Sequence, residues 1–109
     1  MSKYFKEIEE NMSVYFLDKL DDARELAGIP FYINSAYRTE EENKRVGGKP
    51  NSSHLKGLAV DIKAKDSRTR FAVLNALIQT GFTRIGIADT FIHVDLDKNK
   101  SQQVIWTYK

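Results

Sequence analysis

Two segments of the chain alternate between apolar and other side chains, and each carries chemically distinctive residues on the second beat. Leu58, Val60 and Ile62 are separated by Ala59 and Asp61, while Ile92, Val94 and Leu96 are separated by His93 and Asp95. A strand sends successive side chains to opposite faces, so each apolar trio marks a core-facing row. Asp61, His93 and Asp95 must then turn the other way, because a slip of one residue would exchange the two faces. If both strands belong to one sheet, Asp61 and His93 share its non-core face.

The rest of the chain supplies helices and turns around these strands. Val14, Leu17, Leu20, Ala23, Leu26 and Ala27 recur at helical steps and Gly28 ends the run, which predicts a helix over 14–27. Pro30 prevents its continuation, and 31–36 reads as a strand. Thr39 followed by Glu42 is a capping-box pattern for a short helix reaching Val46. Gly47 to Ser53 is a loop by composition, without the strand-before, helix-after setting of a phosphate loop. Asp66 or Ser67 can cap a helix through Phe71, Leu74, Leu77 and Ile78, with Gly81 at its end. Short strands are expected near 84–87, 91–96 and 103–108. This order predicts an α+β fold with a mainly antiparallel central sheet and helices packed on one face.

With 109 residues, 41% of them hydrophobic, the chain is expected to form a single domain over 1–109, with 1–12 as a polar lead-in. The absence of cysteine excludes disulfides and thiolate metal sites. A net charge of +2 without a basic tract gives no support to a nucleic-acid partner, and no segment has membrane-spanning length. The charged N-terminus lacks the apolar run of a signal peptide, so synthesis in the cytoplasm is the expectation.

The chain's only two histidines, His54 and His93, bear on its chemistry. Imidazole nitrogen and carboxylate oxygen are ordinary zinc ligands, and catalytic zinc commonly keeps three protein ligands and one open position. His54 arrives from the loop seven residues before Asp61 and could complete a set with Asp61 and His93. Gly57 lets the backbone turn between them, and Ala59 leaves room on the site-facing side. Taken singly, either histidine is better read as a hydrogen-bonded or surface residue; it is the two with Asp61 on one face that favour a metal.

Ser52-x-His54-x-x-Gly57-x-Ala59-x-Asp61, with Ser35-Ala36-Tyr37-Arg38-Thr39 upstream and Phe91-Ile92-His93-Val94-Asp95 downstream, resembles the zinc D-alanyl-D-alanine carboxypeptidase family. That family includes phage endolysins and shares its fold with the Hedgehog signalling domain. The resemblance spans about residues 30–96. It implies Zn2+ held by His54, Asp61 and His93, with a fourth position for water. It also implies that Arg38 lies near the substrate's carbonyl or terminal carboxylate, which a guanidinium can grip with two parallel hydrogen bonds. Many relatives carry an acid three positions before the last histidine, where this chain has Thr90. Asp89 is then the first choice of general base and Asp95 the second, though Asp95 could instead orient a ligand histidine.

Ser52 and Ser53 are expected to fix their loop rather than act as nucleophiles. Trp106 and Tyr108 are expected in the core or on the rim of a groove, and Asn43 can contact the site if its helix ends nearby. The resemblance implies a monomeric hydrolase of peptide bonds in peptidoglycan stems, acting at the bacterial wall after lysis or export by another route. The competing reading is a non-catalytic, zinc-containing module that binds peptidoglycan.

Overall fold

A computed structural model describes residues 1–108. The sheet has five strands, β1 (Ile33–Ser35), β2 (Ala59–Lys63), β3 (Arg84–Ile87), β4 (Phe91–Asp95) and β5 (Val104–Thr107), in the order β1-β2-β4-β3-β5. The helices are α1 (Val14–Ala27), α2 (Glu40–Arg45) and α3 (Ser67–Thr80), with 3-10 turns at Lys6–Ile8 and Ser53–Lys56. The fold is α+β as expected, but the sheet is mixed. Three neighbouring pairs are antiparallel, whereas β5 lies parallel to β3. The connection after β4 passes around the start of β3 and brings β5 to its far side. Arg84 holds this connection, with Nε donating to Asp95 Oδ1 at 2.7 Å and a guanidinium nitrogen donating to the Ser101 carbonyl.

Each helix starts and stops where its end residues dictate. Ser13, Thr39 and Asp66 accept hydrogen bonds from the third residue of α1, α2 and α3, and the Thr39–Glu42 capping box is complete. Gly28 and Gly81 end α1 and α3 in the left-handed conformation. Phe16, Leu17, Leu20 and Ala23 of α1 join Val73, Ala76 and Leu77 of α3 over Val60, Ile62, Ile85, Ile92 and Val94 of the sheet. The buried stripes are rotated from those expected. Val14 and Leu26 on α1 and Phe71 and Ile78 on α3 are exposed. At roughly 100° per residue, Phe71 lies about 200° from Val73, so one helix cannot bury both against one sheet.

The first twelve residues are more than a polar lead-in. Phe5 and Met12 are buried in the core, and Asp21 on α1 accepts from the Ser2 hydroxyl and from the backbone N–H of Lys3 and Tyr4. This segment also sets a tight contact beneath the functional face. Gly57 has φ +69°, and a Cβ there would lie 2.0 Å from the Asn11 carbonyl oxygen. Gly57→Ala is therefore expected to destabilise the protein by about 2 kcal/mol or more, read as a lower urea midpoint with an unchanged slope.

Candidate metal centre

β2 and β4 pair with Asp61 directly opposite His93, on the face away from the α1–α3 core. The 3-10 turn at Ser53–Lys56 lowers His54 onto the same spot. Ser52 Oγ accepts from the His54 N–H, and the Arg38 N–H donates to the His54 carbonyl. One donor atom from each of His54, Asp61 and His93 lies within 4.8 Å of the other two, and all three residues are buried. Asp61 Oδ1 is 3.3 Å from His54 Nε2 and 2.9 Å from His93 Nδ1. Two ligands about 2.0–2.1 Å from a tetrahedral zinc stand roughly 3.3–3.4 Å apart, a spacing that the Asp61–His54 pair meets and the Asp61–His93 pair approaches from below.

The outer nitrogens show why these atoms suit a cation. His54 Nδ1 donates to the Ala36 carbonyl at 2.7 Å, and because a carbonyl can only accept, the Nδ1 proton is fixed there. Nε2 is then the His54 atom that faces the Asp61 carboxylate, and a proton or a metal ion between them completes the arrangement. His93 Nε2 donates to Asp95 Oδ2 at 2.7 Å, leaving Nδ1 for the centre. Hydrogen bonds of this kind fix ring orientation and tautomer at metal sites. The donor set and its supports fit zinc.

Electrostatics follow the same geometry. Burial works to raise the Asp61 pKa, but the imidazoles of His54 and His93 outweigh it and hold the carboxyl well below the usual carboxylate range. Burial works to lower the His93 pKa, and Asp61 and Asp95 overcome it and raise it above that of ordinary histidine. Burial likewise opposes ionisation of Asp95, yet His93, the Asp97 N–H and Arg84 keep its pKa low.

Arg38 stands beside the triad. Its Nε donates to Ser35 Oγ at 2.9 Å, and its two terminal nitrogens donate to Asn43 Oδ1 and Asp61 Oδ2 at 3.2 and 3.4 Å. Asn43 supports this arginine and donates to the Lys49 carbonyl. Gly48 is needed alongside, since a Cβ there would lie 2.0 Å from Asn43 Oδ1. Trp106 and Tyr108 line the cleft, with the Trp106 ring 5.6 Å from that of His93. They reach this wall because a Cβ on Gly86, which pairs with His93, would lie 2.6 Å from Trp106 Nε1. The cleft over the triad holds about 650 Å³.

The two proposed bases end in different places. Asp89 lies exposed in the turn between β3 and β4, outside the cleft lining, and offers its backbone carbonyl to Arg70. To share a face with His93, Asp89 would need β4 to extend back to residue 89, but the Ala88 N–H to Phe91 carbonyl bond closes a turn there. Asp95 does line the cleft, with both oxygens engaged by His93, Arg84 and the Asp97 N–H. It is placed to orient His93. Asp97 was missed from sequence. This buried carboxylate accepts from Ser53 Oγ at 2.8 Å and from Lys56, tying the turn that bears His54 to the end of β4.

A model of the family described as Peptidase M15 matches residues 3–95. The chain belongs to the M15 peptidases. This is the zinc D-Ala-D-Ala carboxypeptidase family, and His54, Asp61, His93 and Arg38 fall within the matched span. No curated protein matches the chain.

Proposed function

We propose that this M15 peptidase hydrolyses peptide bonds in peptidoglycan stem peptides, with Zn2+ held by His54, Asp61 and His93. The observation that carries the reading is the convergence of three donors at the floor of a cleft, each histidine held by a hydrogen bond through its other nitrogen. Zinc, when bound, supplies a Lewis acid for the scissile carbonyl and lowers the pKa of water. Arg38 presents guanidinium N–H groups beside the triad to an oxygen that gains charge as the bond is attacked. Trp106 and Tyr108 form an aromatic wall for the peptide, and Asp95 keeps His93 in its tautomer. The chain acts at the bacterial wall as a monomer, reached after lysis or by a separate export route. No helix among the described residues is long and apolar enough to cross a membrane.

A second reading rests on the bases. Among the described residues, each carboxylate lining the cleft is bonded to histidine and arginine, which favours a zinc-containing module that binds peptidoglycan without cutting it. Digestion of purified peptidoglycan by the zinc-loaded protein separates the two, with products read by mass spectrometry. New amine termini or released D-alanine, lost in Asp61→Ala, are expected. Retention on the wall without any product would establish the binding module.

A further inference from the structure

We propose that Lys100 receives the substrate's C-terminal carboxylate, so that the chain removes a terminal residue rather than cutting an internal bond. The proposal rests on the peptidase reading above and concerns the same cleft. Four cationic side chains line it, Arg38, Lys49, Arg84 and Lys100, against the carboxylates of Asp61 and Asp95. Both carboxylates face histidine and arginine, and the cleft therefore carries surplus positive charge.

The four cations differ in what they have left to offer. Arg38 is held by Ser35, Asn43 and Asp61 beside the triad, where its remaining N–H groups face the scissile carbonyl, and buried Arg84 is fixed between Asp95 and the Ser101 carbonyl. Lys49 is exposed at the rim. The Lys100 side chain is only 25% exposed, which restrains its ammonium at the cleft wall. Among the described residues its Nζ makes one hydrogen bond, donating to Ser53 Oγ at 3.0 Å, next in sequence to His54. An ammonium carries three donors, so two remain for a ligand.

The nearest carboxylate does not remove that capacity. Asp97 Oδ2 lies 3.7 Å from Lys100 Nζ and already accepts from Ser53 Oγ at 2.8 Å. Lys56 reaches both Asp97 oxygens, at 3.1 and 3.0 Å, from a separate small cleft that it lines with Tyr15. One negative charge thus faces two ammonium groups, and the uncompensated one belongs on the catalytic side. A terminal carboxylate satisfies Lys100 with a charge-assisted hydrogen bond, whereas a continuing chain offers it a neutral amide.

The test uses a five-residue stem peptide ending in D-Ala-D-Ala and the same peptide with its terminus amidated. Zinc-loaded wild type, Lys100→Met and Lys100→Arg are compared, with metal content measured in each. Wild type is expected to release terminal D-alanine from the acid and to act poorly on the amide. Lys100→Met should lower kcat/KM on the acid by about ten- to hundredfold, mainly through KM, and bring the acid-to-amide ratio near one. Lys100→Arg should restore part of that ratio, a pattern that a purely structural role would not produce. Equal cleavage of acid and amide by wild type, or an unchanged ratio in Lys100→Met, overturns the role of Lys100 and leaves the peptidase reading standing. Failure of folded, zinc-loaded wild type to cut any bond overturns the peptidase reading, and this proposal with it.

Discussion

Replacing His54 with alanine is expected to weaken zinc binding by about a hundred- to thousandfold and to abolish turnover, while the metal-free chain remains folded. Structural zinc sites with four ligands bind with roughly 10–16 kcal/mol, so each ligand accounts for about 3 kcal/mol. Folding should survive because His54 lies on a short 3-10 turn outside the α1–α3 core, and its loss removes one bond to the Ala36 carbonyl. Asp95→Asn provides the comparison. As a residue that orients His93, Asp95 should cost only about 10–100-fold in affinity. It should also reduce stability, because the buried Arg84 loses its carboxylate partner. A competition titration against a chelating dye gives both affinities, and circular dichroism reports folding. Unchanged affinity in His54→Ala would remove His54 from the ligand set. Unchanged affinity with lost turnover in Asp95→Asn would make Asp95 the base after all.

The period of two in 58–62 and 92–96 was enough to place Asp61 and His93 on one face, because misplacing either strand would bury charge among aliphatic side chains. End signals were legible for a similar local reason. Thr39, Asp66 and Gly81 act on backbone groups within four residues of themselves. What escaped depends on contacts distant in sequence. Phe5, Ile8 and Met12 recur at three- and four-residue steps over a stretch too short and too charged to mark a helix, yet Phe5 and Met12 enter the core. The parallel β5 depends on a loop passing around β3, which no strand pattern encodes. Asp97 acquires its role only when Ser53 and Lys56 come beside it, 44 and 41 residues away in sequence. A signal did exist in the continued alternation His93, Asp95, Asp97, which carries polar residues past the end of β4. Asp89 was out of reach of sequence because its position depends on whether Gly86 to Thr90 continues a strand or turns, and the Ala88–Phe91 hydrogen bond makes it a turn.

Raising the pH from 6 to 9 is expected to destabilise the metal-free protein and to strengthen its binding of zinc, so that melting curves with and without metal diverge. The pKa of His93 is raised above the ordinary 6.5 by Asp61 and Asp95, against the opposing effect of burial. Its contribution to stability is complete below about pH 6.5 and is lost as pH climbs through the raised folded value. Asp61 and Asp95 have lowered pKa values, so their contributions are present above the ordinary 3.8 and are lost only as pH falls through those lower values. They stay constant over this window, in which the raised His93 pKa makes stability fall as pH rises. Zinc has the opposite dependence because it must displace the proton from His93 Nδ1, and protons compete less as pH rises. Below the folded pKa, each pH unit costs about tenfold in apparent affinity. At a hundredfold excess of free zinc over Kd, binding adds about 2.7 kcal/mol. For a domain of this size that is about ten degrees or more in Tm. Scanning calorimetry across the range checks both signs at once. Curves that stay parallel would show that His93 gives up no proton to the metal and would take it out of the centre.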